Sequence, residues 1–241
     1  MRIFLLILVV SHGISSGWLS AHTSMKEPDT LSPKQQSIVI ISALTAKGDL
    51  KKLQPALATG LETGLTVNEI KEVIVHLYAY CGFPRSIRGL QTLMSVLDER
   101  KKKGITDKIG KQASPITSHE PKYERGKKVL EQLSGRPETG PRQGYAAFSP
   151  EIEVFLKEHL FADLFERDVL SYANRELTTI SVLTSIGGVE PMLQSHLGIC
   201  LHVGLTEAQL RQALSLIGTN VGKAEAEASQ AILTQVASSR R

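Results

Sequence analysis

The sequence predicts an all-α protein made of two copies of one helical module. Three observations carry that expectation. Apolar residues recur at helical spacing, as at Ile70, Val73, Ile74 and Leu77, rather than alternating. Aromatic residues are only 5% of a chain that is 41% hydrophobic and rich in Ala, Leu and Ile, which suits helices better than a β-sandwich. The chain also repeats itself. "ISALTAKG" in the segment from Leu31 matches "ISVLTSIG" in the segment from Leu170, and Gly64-Leu65-Thr66 recurs as Gly204-Leu205-Thr206. One extra residue between Gly187 and Leu193 keeps both matches in register. Two copies indicate a duplicated domain rather than a solenoid.

The elements follow in order. Met1-Arg2, the apolar run "IFLLILVV" and the small, polar "SHGISSGWLSAH" read as an export signal over residues 1–21, cleaved after Gly17 or Ala21. The apolar run is too short to span a bilayer, so a periplasmic or secreted protein with no stable membrane span is expected. The first module covers 30–104. Ser32-Pro33 opens its first helix, which runs to about Ala46, with an N-cap and a proline at the first helical position. Asp49 caps a second helix. Thr66 with Glu69 forms a capping box for a third, which Gly82-Phe83-Pro84 should end. A further helix then runs to about Lys103. Residues 105–164 are a linker in which "KYERGKKVLEQL" and "PEIEVFLKEHLFADLF" are helical and the Gly-, Pro- and Ser-rich remainder is loop. The second module, 165–237, repeats the plan, with Thr206 and Gln209 as its capping box.

The formal net charge of +4 is mild, and the Arg100 to Lys103 run reads as a solvated helix end. No basic-aromatic groove or recognition motif accompanies it, so no nucleic-acid partner is expected. Cys81 and Cys200 are the two cysteines. They form no CxxC, and neither zinc-type spacing nor an HExxH is present, so no metal is expected.

The residues suited to chemistry cluster in "RELTTISVLTSIGGVEPMLQSHLGIC". Glu176 shares a helical face with Thr179, Ile180 and Leu183. His196 shares one with Leu193, Leu197 and Cys200. If these helices pack antiparallel through Gly187-Gly188, the carboxylate and imidazole meet, and the carboxylate fixes the imidazole tautomer for acid–base work. A buried polar pair that only fastens two helices is the alternative. Ser37 and Ala56 stand at the matching positions of the first copy, so the fold does not require the pair. His76 and Tyr80 share a face at the end of the third helix, either satisfying local backbone groups or lining a pocket opposite Glu176 and His196. Cys81 and Cys200 are redox candidates: His196 lies one turn before Cys200 and, if charged, would lower its thiol pKa. A lone helical Cys is more often a small buried hydrophobe, and that reading is the preferred one.

These segments resemble the carboxymuconolactone decarboxylase family, which includes alkyl hydroperoxidase D-like proteins. The pattern is Arg175-Glu176, an apolar helix, Gln194-x-His196, a Gly-Leu-Thr turn and an amphipathic helix, together with "VHLYAYCGFP". The resemblance covers about 31–100 and 165–235. It implies small all-α modules that assemble into trimers or hexamers, so a two-module chain is a built-in dimer expected to form a homo-oligomer, a trimer of such chains. In the decarboxylase branch it implies cofactor-free loss of CO2 from an unsaturated lactone acid, with Glu176 and His196 handling the proton and Arg175 orienting a carboxylate; His76 and Tyr80, from their own placement, are the further substrate-binding candidates. In the hydroperoxidase branch a CxxC precedes the His. Here Val189 and Met192 stand seven and four residues before His196, so the disulfide relay does not carry over. The expected function is decarboxylase-like chemistry, without a cofactor, on a small carboxylated or lactone substrate. The rivals are a thiol-dependent peroxidase or reductase through Cys81 or Cys200, and a non-enzymatic oligomer that binds a small molecule or partner protein.

Overall fold

The computed structural model describes residues 29–240, so the expected export signal lies outside the described residues. Helices α1 (Pro33–Lys47), α2 (Leu50–Glu62) and α3 (Val67–Lys102) form the first module. Helices α4 (Lys122–Ser134), α5 (Tyr145–Phe148) and α6 (Pro150–Phe155) follow, and α6 runs on as a π-helical stretch, Leu156–Phe165. Helices α7 (Tyr172–Ile186), α8 (Glu190–His202), α9 (Glu207–Asn220) and α10 (Lys223–Ser238) form the second module. The all-α, duplicated architecture expected from the repeat is what the chain adopts.

The caps sit where the sequence placed them. Ser32, Thr66 and Thr206 each accept from the backbone N–H three residues on, and the side chains of Gln35, Glu69 and Gln209 return the bond. Asp49 accepts from Lys52 N at the start of α2. Gly82-Phe83-Pro84 divides α3 as expected: Gly82 leaves helical geometry, at φ 80° and ψ 160°, and a second helical stretch runs on to Lys102. Only glycine adopts that φ without strain, and the kink lets Pro84 restart the helix where its missing N–H costs nothing. The second module breaks at the matching Gly222, between α9 and α10. The π-helical stretch and the short α5 lie in the linker, where the sequence pattern indicated only an ordinary helix and loop.

One apolar core joins the modules. Helix α1 packs along α7, its repeat equivalent, and α3 also packs on α7. Ile38, Ile41 and Leu44 from the first module and Leu177, Ile180, Leu197 and Leu214 from the second are all essentially unexposed. The linker contributes a second, smaller core. Val129 and Leu133 of α4 and Leu160, Phe161, Leu164 and Phe165 of the π-helical stretch close on Ile199, with Val75, Tyr78 and Tyr80 at its edge. Helix α4 and the π-helical stretch touch backbone to backbone at Gly126, where a Cβ would fall 1.8 Å from the carbonyl oxygen of Lys157. Lys157 is 1% exposed, and its ammonium lies 2.7 Å from Glu138 and 3.1 Å from Glu153. Among the described residues no helix is long and apolar enough to cross a membrane.

Candidate active site

The α7–α8 hairpin turns on Gly187 and Gly188, both at positive φ (66° and 70°), and brings the two helices antiparallel. Glu176 is fully enclosed, and its Oε2 accepts from His196 Nδ1 at 2.8 Å. That bond places the Nδ1 proton between the two groups and leaves Nε2 as the working nitrogen. The His196 side chain is 13% exposed, so the ring reaches the surface while its carboxylate partner does not. Glu176 Oε1 is buried with no hydrogen-bond partner among the described residues. An orphaned carboxylate oxygen is costly to bury, and such costs concentrate at functional sites.

The first module supplies the other wall. The α3 residues Glu72, His76 and Tyr80 are spaced four apart and face α7. Glu72 takes Arg175 at 2.7 Å and both donors of Arg167 at 2.8 and 2.9 Å. Burial raises the Glu72 carboxyl pKa, but these two guanidiniums outweigh it and hold the group below the ordinary carboxylate range. Arg175 also donates to the Arg167 carbonyl and, at 3.4 Å, to His76 Nδ1. His76 Nε2 lies 2.9 Å from Thr179 Oγ1, which in turn is 3.3 Å from the Tyr80 hydroxyl. Burial first, then the Arg175 guanidinium and His196, push the His76 pKa well below the ordinary imidazole value, so the ring is neutral. Burial and the Glu176 charge raise the Tyr80 phenol, which stays protonated. The Tyr80 ring meets His196 edge-on at 6.1 Å, and Phe165 of the linker packs edge-on against His76 at 5.0 Å. Three parts of the chain thus converge on one place.

Arg175, expected to hold a substrate carboxylate, is instead 0% exposed and is engaged by Glu72, the Arg167 carbonyl and His76. Cys81 and Cys200 are both free thiols. Cys200 is fully buried, and burial followed by the Glu176 charge raises its pKa well above the usual thiol value, opposite to the lowering expected from His196. Burial pushes Cys81 up to about 11. Neither has the lowered pKa of a reactive thiol. Thr179, Glu72, Arg167 and Phe165 were not singled out from the sequence. Glu72 was within reach, standing one turn before His76 as His76 stands one turn before Tyr80.

Comparison with known proteins now decides the family. The sequence model of the Carboxymuconolactone decarboxylase family matches residues 14–93 and 150–235, more than half of the chain. The chain belongs to this family. A curated relative, an uncharacterized protein (MJ1511) of Methanocaldococcus jannaschii, is 27% identical over 70 residues, 29% of this chain and 65% of the relative. The chain therefore spans just under two thirds of that relative's length. The two matched stretches of the carboxymuconolactone decarboxylase family contain α1, α2, α3 as far as Leu93, α6 to α9 and α10 as far as Gln235, and they leave α4 and α5 outside. Glu72, His76, Tyr80, Thr179, Glu176 and His196 all fall within matched stretches, and the site lies where the two copies of the module meet.

Proposed function

We propose that this chain is a cofactor-free acid–base enzyme of the decarboxylase type, acting on a small carboxylated or lactone substrate. The observation that carries the reading is the Glu176–His196 pair: a fully buried carboxylate with one free oxygen, bonded through Nδ1 to an imidazole whose side chain is 13% exposed. In such a reaction the bond to the substrate carboxylate breaks, CO2 leaves, and the electron pair moves into the adjacent unsaturated system. His196, protonated at Nε2, returns a proton to carbon, and water reprotonates it. Glu176 stabilises the imidazolium and fixes its orientation. Arg175 acts by positioning, through His76 and Glu72, because its guanidinium is enclosed.

A thiol peroxidase route through Cys81 or Cys200 is disfavoured by the buried, raised thiols. Export is part of the proposal, supported by Arg2 and the apolar run Ile3 to Val10. So is self-association, which would cover Phe83, Ile87 and Met94, exposed along the distal half of α3. CO2 release from a panel of unsaturated lactone acids and β-keto acids tests the function. Turnover by the wild type that is lost in Glu176→Gln and His196→Ala supports it. Turnover unchanged in both variants overturns it.

A further inference from the structure

We propose that the Tyr80 hydroxyl is a second catalytic group, donating a hydrogen bond to the substrate oxygen that takes up negative charge, and that Arg175, His76 and Thr179 form a one-directional chain of donors that aims its proton outward. This rests on the acid–base reading above and requires an acid whose carboxylate lies β to a carbonyl, or vinylogous to that position, so that loss of CO2 leaves an enolate.

The direction of the chain follows from its first member. A guanidinium only donates, so the Arg175 contact at 3.4 Å makes His76 Nδ1 an acceptor. Neutral His76 then carries its proton on Nε2 and donates it to Thr179 Oγ1 at 2.9 Å. Thr179, filled by that donor, has one proton to place. Its neighbours are the Arg175 carbonyl at 3.0 Å, four residues back in α7, and the Tyr80 oxygen at 3.3 Å. The Arg175 carbonyl lies inside α7, where the helix supplies its own backbone donor. The Tyr80 oxygen has no comparable donor among the described residues. When Thr179 donates to Tyr80, the phenol keeps its own proton free for a substrate. Tyr80 is half-buried and lies edge-on to His196, whose side chain is 13% exposed. A substrate across both edges meets a proton donor to carbon and a proton donor to oxygen.

The step balances. The carbon–carbon bond to the carboxylate breaks, CO2 departs, and its bonding pair becomes the enolate, whose oxygen accepts from Tyr80 O–H without taking the proton. The His196 Nε2 proton goes to the enolate carbon, the carbonyl re-forms, and water restores the imidazolium.

The test uses acetylacetone, a neutral carbon acid whose enolate has its own ultraviolet band, together with CO2 release from the panel above. Wild type is expected to raise the enolate fraction of bound acetylacetone near neutral pH. Tyr80→Phe should lose that band and lower turnover by roughly 10²-fold, chiefly in kcat. Thr179→Val should lower both by about tenfold, and Thr179→Ser should restore them; a merely structural threonine would not be rescued this way. Nitrogen NMR should show His76 protonated on Nε2 in the wild type. His76 found with its proton on Nδ1, or Tyr80→Phe and Thr179→Val matching wild type while His196→Ala is inactive, overturns the Tyr80 assignment and leaves the Glu176–His196 reading standing. A wild type that neither turns over the panel nor binds the enolate overturns both.

Discussion

Glu176 Oε2 and His196 Nδ1 meet at 2.8 Å across the α7–α8 hairpin, one residue fully enclosed and the other reaching the surface. The pair is asymmetric in the way a proton-transfer dyad requires, because the carboxylate is shielded and the imidazole is accessible. Glu176→Gln keeps size and a hydrogen-bonding oxygen but removes the charge that stabilises an imidazolium. It should lower turnover by about 10²- to 10⁴-fold with little change in thermal midpoint, since an amide is easier to bury than a carboxylate. Steady-state CO2 release and a melting curve on the same preparation check both halves.

The thiols should be inert. With Cys81 raised to about 11 and Cys200 buried, the native protein at pH 8 holds on the order of one thiolate per thousand at Cys81. Iodoacetamide should label Cys81 slowly and Cys200 only after denaturation. Mass spectrometry of native and unfolded samples reads this directly, and rapid native labelling of Cys200 would contradict its burial.

The fold was legible in the sequence because its signals are local. Ser32-Pro33, Thr66 with Glu69, and Thr206 with Gln209 are caps whose partners lie within one turn, and all three formed as read. The Glu176–His196 contact was also legible, since a tight turn at Gly187-Gly188 fixes which faces meet. Arg175 was not: its partners Glu72 and His76 belong to the other module, and only the packing of α3 on α7 brings them there. The same holds for Phe165, whose place on His76 depends on a linker with no counterpart in the repeat. The π-helical stretch has a sequence that reads equally well as an ordinary helix.

The buried Arg175 requires its carboxylate. Glu72→Gln leaves a 0% exposed guanidinium facing a neutral amide and strips Arg167 of its partner. Removing one partner of a buried pair typically costs ~3–5 kcal/mol. Urea unfolding should show a loss of that order, whereas Glu225→Gln, which breaks only the half-exposed pair with Lys47, should cost under about 1 kcal/mol.

His76 gives stability a pH dependence of known sign. Its folded pKa lies well below the ordinary value near 6.5, so below that pH the unfolded chain binds a proton that the folded chain refuses. Its contribution is complete above 6.5 and declines as pH falls, by up to about 1.4 kcal/mol per pH unit. Glu72 acts in a separate window, since its depressed pKa makes stability fall as pH drops through the ordinary carboxylate value near 4.5 and on toward the folded value. Urea midpoints at pH 7 and 5.5 should differ less in His76→Gln than in wild type, the other titrating groups being common to both.

The duplication should have kept one site of two. Holding Gly64-Leu65-Thr66 on Gly204-Leu205-Thr206 sets His76 against Leu216, Tyr80 against Asn220 and Glu72 against Gln212. On the α1–α7 side the match of "ISALTAKG" to "ISVLTSIG" sets Arg175 against Gln36, Thr179 against Ile40 and Glu176 against Ser37. Where Arg175 and Glu72 pair, Gln36 and Gln212 instead bond the carbonyl and N–H of Leu31, at 2.9 and 2.7 Å. Every ionisable or proton-relaying group of the candidate site is therefore replaced at its mirror position, while the helices that carry those positions pack alike. Ser37→Ala and Asn220→Ala should each leave turnover at the wild-type level, and Ser37→Glu with Ala56→His should add none, because the neutral surroundings offer the new pair neither a Tyr80 nor a donor chain. Turnover per chain, measured in these variants beside Glu176→Gln, separates one working site from two. A fall of about half in Ser37→Ala would mean that the first module also works.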